Sequence, residues 1–330
     1  MKRFLIHDIY KKPVVIRKSL FCANSVCVSI PRVRGYLINA RQFTSNERRD
    51  DGSNVSYCMN LVRKHDFENY LTTLLLPKDS RNSVFAIRAF NLETIKIKDI
   101  ISQPGTGEMR IKFWASAIES IYKNEPPQHP IAMELMKAKD KNHLSKMWFN
   151  RLVKERKRRL DDSPYRNLEE LEAYCENTVS SILYLILESL GIRCSHSDHA
   201  ASHIGKAYGI VILLRAVPFH AKKGKVYLPS DILIKHGVSH EDIIRGRSSQ
   251  PVKDAIYEIA SLSNAHLEIA RSIKKDVSRK AVAGFLCSVI CQKYLRDLQF
   301  VDFDVFHPNL QERAPLLPVQ LLIQRLRGVY

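Results

Sequence analysis

Three histidines, His196, His199 and His203, recur at spacings of three and four, so a helix through them would carry all three on one face. Imidazoles so placed have the chemistry to ligate zinc or to relay protons. No cysteine or carboxylate at ligand spacing accompanies them except Asp198, which falls elsewhere on the helix. Capping and interhelical hydrogen bonds are therefore the expected use, and no metal or other cofactor is predicted. Cys287 and Cys291 also sit one turn apart, but two thiols alone do not make a zinc site. A third group is cationic: Lys154, Arg156, Lys157, Arg158 and Arg159 crowd one helical stretch around a single acid, Glu155. Such a cluster suits an anionic membrane or an acidic partner, although a solvated helix face is the ordinary reading. Glycine-rich phosphate loops and nucleophile elbows are missing from the sequence.

The stretch that organises the rest runs from Ser202 to Pro229, where a helix of small residues passes into a basic, glycine-containing turn and stops at Leu228-Pro229. Residue by residue it resembles the second signature of the squalene/phytoene synthase family. Ile204-Gly205, Ala207, Leu213-Leu214-Arg215, Ala221, Gly224-Lys225 and Tyr227-Leu228-Pro229 keep the frame without a gap. In that family two aspartates one helical turn apart hold Mg²⁺, which in turn binds a prenyl diphosphate. The resemblance places Ala216 and His220 at those positions, Phe219 at the acidic position between them and Ile212 at the usual asparagine. Neither a methyl group nor a neutral imidazole holds hard Mg²⁺.

The first acidic motif of the family is altered in the same way. Leu75-Leu76-Pro77, Arg81, Ala86, Ala89 and Phe90 match, but Arg88 replaces the usual tyrosine, Leu92 an arginine, and Ile95 and Lys96 the paired acids, leaving only Asp99. Tyr174-Cys175 is kept from the stretch that lines the prenyl cavity, while Ser180 and Leu183 replace its two glycines. A leucine there implies a narrower cavity. The strings Arg88-Ala89-Phe90-Asn91, Asp198 to Ala207 and Val301 to Pro308 resemble a non-catalytic branch of the family.

What the resemblance implies is an all-α, single-domain bundle of the isoprenoid-synthase type around a central cavity, with no catalytic residues. Arg81, Arg88, Asp99, Tyr174, Arg215, Ala216, His220, Lys225 and Tyr227 would form a vestigial prenyl-diphosphate pocket, in which Arg215 and Lys225 could hold a phosphate and Tyr227 line the entrance. The branch implies a pseudoenzyme of the mitochondrial matrix, peripheral to the inner membrane, that helps to build respiratory complex I. Its expected partners are complex I subunits or other assembly factors, with a prenyl or other lipid ligand as a further candidate and no nucleic acid. The alternative is an active or residual prenyl-diphosphate-binding or lipid-binding prenyltransferase.

Composition sets the frame for this reading. The chain has 330 residues, 45% hydrophobic and 26% charged, which supports a sizeable core and argues against disorder. Its net charge of +18 is concentrated at the start, where eleven Lys or Arg stand against Asp8 and Glu47 over residues 1–49. Such an acid-poor, Arg- and Ser-containing segment with interleaved apolar residues reads as a mitochondrial transit peptide over 1–43, with a linker at 44–54 and the helical domain at 55–330. Arg41, two residues before Phe43, marks a processing site, and cleavage after Phe43 is expected. A disordered basic tail or a nuclear or nucleic-acid arm would share the charge but not the apolar interleaving. Cys58, Cys175, Cys194, Cys287 and Cys291 lie beyond this segment and read as reduced thiols of an intracellular compartment.

Periodicity predicts the elements that must position these groups: helices over 56–76, 77–101, 106–123, 130–140, 143–160, 167–190, 252–273, 279–299 and 316–326. Asn167 with Glu170 three residues on has the residue types of a capping box, and Gly191 those of a C-cap. The last helix, with Leu317, Leu321, Leu322 and Leu326, could serve as a membrane or partner contact, but is expected to pack on the core. No apolar run reaches membrane-spanning length, and there is no internal repeat and little sign of a sheet.

Overall fold

A computed structural model describes residues 53–100, 105–312 and 314–330, without the side chains of Asp99 and Ile100. The predicted transit peptide, its processing site and nearly all of the linker lie outside the described residues. Among the described residues there are fourteen α-helices and no strand: α1 Asn54–His65, α2 Phe67–Leu74, α3 Lys78–Ile100, α4 Thr106–Tyr122, α5 Pro130–Asn142, α6 Lys146–Arg158, α7 Leu168–Cys175, α8 Ser181–Ser189, α9 Ser195–Ala221, α10 Ser230–Lys235, α11 His240–Ile244, α12 Gln250–Ser272, α13 Cys287–Phe300 and α14 Leu317–Arg327. The all-α class expected from the sequence is the one observed.

Three predicted helices are broken: the one expected over 279–299 is a 3-10 helix at Ala281–Phe285 before α13 begins at Cys287, and the other two break for local reasons. The helix expected over 56–76 divides at Asp66, whose φ of −146° is not helical. Its carboxylate accepts from the Asn69 backbone N–H and so opens α2 as an N-cap. The helix expected over 167–190 contains a π-helical turn at Glu176–Ser180 between α7 and α8, which inserts a residue and shifts the faces on either side. Asn167 does cap α7, accepting from Glu170 N at 2.9 Å, and Gly191 takes the left-handed φ of +71° at the far end. The capping box does not close, however, because the Glu170 carboxylate accepts from Arg166 N rather than from Asn167 N.

α9 is the axis of the bundle, packed against α7, α8, α12 and α13. By length and apolarity it would qualify to cross a membrane, contrary to the expectation that no segment does. More than half of its most apolar window is nevertheless buried, with Ala200, Ile204, Ala207, Tyr208, Ile210, Val211 and Leu214 on one broad face against protein, as in the core helix of a bundle. Contact with the π turn is close enough to require glycine. A Cβ on Gly205 would lie 2.2 Å from Ser180 Oγ, and one on Gly209 would lie 2.5 Å from Cys175 Sγ.

On the other side, Phe90 of α3 meets Trp114 and Phe149 edge-on, with ring centroids 5.2 and 5.4 Å apart. Fully burying a side chain of this size contributes about 1.5–3 kcal/mol, so this trio ties α3, α4 and α6 together. α14 departs from expectation. Leu317 and Leu321 are buried, whereas Leu322 and Leu326, predicted to pack inward, face solvent.

Candidate functional site

The break at Asp66 and the axial helix α9 together leave a cavity of about 550 Å³. Asp66, Glu68 and Asn69 of the α1–α2 corner, Arg88 and Leu92 of α3, Leu183 of α8, and Tyr208, Arg215 and Ala216 of α9 all face it, as do Leu310, Gln311, Glu312, Ala314 and Leu317. This volume lies in the range of small-molecule sites, about 300–1,000 Å³.

Its polar wall is a connected network. Asn69 Nδ2 donates to both Asp66 carboxylate oxygens, at 3.1 and 2.9 Å, and lies 3.1 Å from the Tyr208 hydroxyl. Burial pushes the Asp66 carboxyl up, while the Arg88 guanidinium and the Asn69 hydrogen bonds pull the other way. Burial likewise lifts the Tyr208 hydroxyl well above its ordinary range and the Cys287 thiol to about 11, so both are protonated near neutrality. Arg88 is buried, and among the described residues its one hydrogen bond is a long one, Nη2 to Thr72 Oγ1 at 3.5 Å. Its Nε and the Asn69 Oδ1 have no partner among the described residues. A buried guanidinium so weakly satisfied keeps free hydrogen-bonding capacity at the cavity wall, beside the Asp66 carboxyl.

The nine residues assigned to a vestigial pocket do not converge on one point. Arg88, Arg215 and Ala216 line the cavity. Arg81 instead braces the turn before α3, donating from Nε to Leu76 O at 2.8 Å. Tyr174 accepts from Arg156 through its hydroxyl, and that guanidinium also reaches Asn91 at 3.3 Å. Lys225 and Tyr227 join Lys98 around Asp162, a carboxylate that the sequence reading did not single out. Lys98 Nζ lies 2.6 Å from Asp162 Oδ1, the Tyr227 hydroxyl donates to the same oxygen at 2.6 Å, and Lys225 pairs with Oδ2. His220 stands edge-on to Tyr227, with centroids 4.7 Å apart. The side chain of Asp99 lies outside the described residues.

Charge pairing decides what this arrangement can do. Burial alone would raise the Asp162 carboxyl, but the hydrogen bonds from Lys225, Lys98 and Tyr227 outweigh it and hold the group well below the usual carboxylate range. Arg215, expected to be available for phosphate, is held two-pronged by Glu68 at 2.5 and 3.2 Å. Among the described residues no three His, Cys, Asp or Glu side chains are grouped to hold a metal ion. Asp66, Glu68, Asn69 and Asp162 were missed in the sequence. Only Asp66 left a signal there, as an N-cap residue type in the middle of a helical pattern.

The histidine trio resolves into a chain that excludes His196. His203 reaches His199 at 3.1 Å through Nε2 and His266 of α12 at 2.8 Å through Nδ1, and His266 Nε2 lies 2.7 Å from Glu172 of α7. Burial first, then His266, His199 and Lys206, lowers the His203 imidazole to about 4. These contacts tie α7, α9 and α12 together.

Comparison with known proteins adds lineage to this geometry. The chain is 52% identical over 274 residues, 83% of its length and 82% of the relative's, to the human protein named NADH dehydrogenase (ubiquinone) complex I, assembly factor 6. It is 37% identical over 287 residues to the homolog of that protein from Drosophila melanogaster, covering 85% of this chain and 86% of the other. Among solved structures, a dehydrosqualene synthase in complex with a ligand superposes with a TM-score of 0.73 at 18% identity, over 83% of this chain and 95% of that one, a likeness of fold. The sequence profile described as squalene/phytoene synthase matches residues 62–320. On these grounds the chain belongs to the squalene/phytoene synthase family.

Proposed function

We propose that this chain is a mitochondrial complex I assembly factor: a prenyltransferase-like pseudoenzyme of the matrix, peripheral to the inner membrane, that works by binding complex I subunits or other assembly factors. In this reading residues 1–43 are a removable leader, 44–54 a linker and 55–330 the working domain. The observation that carries it is that the two cations expected to hold a phosphate, Arg215 at the cavity and Lys225 away from it, are both paired with carboxylates. Glu68 is engaged by Arg215, and Asp162 by Lys98 and Lys225. Ionising a diphosphate requires several positive charges placed at the leaving group, with a metal the usual source. Here Arg215 and Lys225, the cations that would hold a phosphate, are already paired with Glu68 and Asp162. The relatives named assembly factor 6, similar over most of their length, support the same direction.

The test is a knockout in cells with complex I resolved on a native gel, rescued by wild type and by a folded Asp99→Ala/Arg215→Ala double variant. Loss of complex I with full rescue by both supports assembly work independent of the old site, and an intact complex I in the knockout overturns the assignment. A second reading, residual prenyl-diphosphate or lipid binding, is favoured by the cavity itself and by its unpaired Arg88 Nε. Calorimetric titration with farnesyl diphosphate separates the cases. Mg²⁺-dependent binding supports a surviving enzyme, Mg²⁺-independent binding a lipid carrier, and no binding the scaffold alone.

A further inference from the structure

We propose that the outward face of α14, together with the basic groove between α13 and α14, docks on an anionic phospholipid bilayer. The proposal deepens the peripheral-membrane element of the reading above and does not depend on the assembly role. At about 100° per residue, Leu316, Val319, Leu322, Ile323 and Leu326 fall within an arc of about 120°. All five are between 40% and 73% exposed. Leu317 and Leu321, the two that pack inward, lie on the opposite side of the same helix. One apolar face is thus used by the core and a second is left in solvent, beyond what scattered surface leucines account for.

The surroundings of this face are cationic. Arg325 and Arg327 flank it in the last turn, and no acidic residue occurs from Ala314 to the C-terminus. Beside it is a groove of about 540 Å³ whose charged lining is three cations, Arg271, Lys293 and Arg296, against one acid, Asp297, with Gln320 and Gln324 on the α14 side. Lys293 is paired with Asp297, and Arg271 with Glu268. Arg296 makes no hydrogen bond or ion pair among the described residues, and the buried Gln292 Oε1 has no partner. One turn beyond Arg296 on the same face of α13, Phe300 is 88% exposed. An amphipathic helix with apolar residues outward and arginines at its edges matches the boundary between acyl chains and anionic headgroups. The adjoining basic groove matches a headgroup phosphate. Two copies of the chain packed through this face would set the arginines of one against those of the other, which disfavours self-association. The cluster at Lys154–Arg159 is a weaker membrane candidate, because Arg156, Arg158 and Arg159 are engaged by Tyr174, Glu155 and Glu170.

The test uses the full chain and phosphatidylcholine vesicles with and without phosphatidylglycerol, read at the face itself so that the basic N-terminal segment does not decide the outcome. A Leu326→Trp variant is expected to show blue-shifted emission, quenched by brominated lipid, only with the anionic vesicles. A control Tyr257→Trp variant on α12 should not respond. Adding Leu322→Glu should abolish the quenching without changing the melting temperature, since Leu322 is exposed. Arg325→Glu/Arg327→Glu should raise the lipid concentration for half-binding by about tenfold or more. Flotation without quenching at position 326 would place the contact on another surface and overturn the proposal. Failure to float overturns it too, as does a dimer that Leu322→Glu dissociates. None of these outcomes touches the knockout result, so the two readings fail separately.

Discussion

Arg88 is the residue on which the character of the cavity turns. A guanidinium buried with one 3.5 Å hydrogen bond and an unpaired Nε carries a desolvation cost that an apolar side chain of similar length would avoid, set against its attraction to the buried Asp66. Arg88→Met is therefore expected to leave the melting temperature unchanged or to raise it slightly, and a fall of several degrees would show that its attraction to Asp66 outweighs that cost. Asp162 behaves oppositely. Its carboxyl is depressed below its ordinary 3.8, so its contribution is present above that value and is lost as pH falls through it toward the lower folded-state value. About a third of the side chain remains exposed, and the effect is discounted accordingly. Wild-type melting temperature should fall from about pH 5 to pH 3 more steeply than that of Asp162→Asn. Parallel curves would remove Lys98, Lys225 and Tyr227 as stabilisers of the charged form. Neither residue's environment was legible from local spacing. The position of Arg88 in the motif frame was visible, but Asp162 meets Lys225 and Tyr227 only across 63 and 65 residues of chain.

Between elements, the contact that fixes the cavity wall is the one between α9 and the α7–π–α8 rod. The sequence shows glycine at 205 as part of the resembled signature, but it does not show what the glycine touches. With a Cβ at Gly205 placed 2.2 Å from Ser180 Oγ and 2.6 Å from Ser180 Cα, rotation of the serine hydroxyl alone cannot make room, and the backbones must part. Gly205→Ala is expected to destabilise by about 2–4 kcal/mol through this overpacking. That corresponds to a fall of several degrees in melting temperature for a domain of this size. A change within one degree would mean the helices separate freely, and the wall would then be softer than described. The π turn itself was not legible, because a single inserted residue leaves apolar periodicity nearly intact. The break at Asp66 was legible only in part, since aspartate caps helices and also occurs on their solvated faces. α14 shows the opposite failure. Its leucines read as core because periodicity reports that a face is apolar and not how many apolar faces a helix carries.

At the level of the whole chain, the fold was legible because the resemblance rests on long strings spread from Leu75 to Pro308, which fix the register of almost every helix at once. Function was less so, because the pairing of Glu68 with Arg215 across 147 residues, which makes the arginine expected to hold a phosphate half of an ion pair, has no local signature. Charge, by contrast, is a whole-chain property that sequence reports directly. Half of the excess of +18 lies in the first 49 residues, and that asymmetry yields a last expectation. A segment with nine net positive charges is drawn toward a negative compartment, each charge gaining about 2.3 kcal/mol per 100 mV of potential, whereas the same charge spread over the domain would steer nothing. Residues 1–54 fused to a reporter are therefore expected to carry it into the matrix of energised mitochondria. The reporter should be shortened there by cleavage after Phe43, and an uncoupler should block both events. Replacing the eleven Lys and Arg of residues 1–49 by Gln should abolish import. Import that survives that replacement would mean the apolar residues alone are read by the import machinery, and uptake of the reporter into nuclei would restore the basic-arm reading.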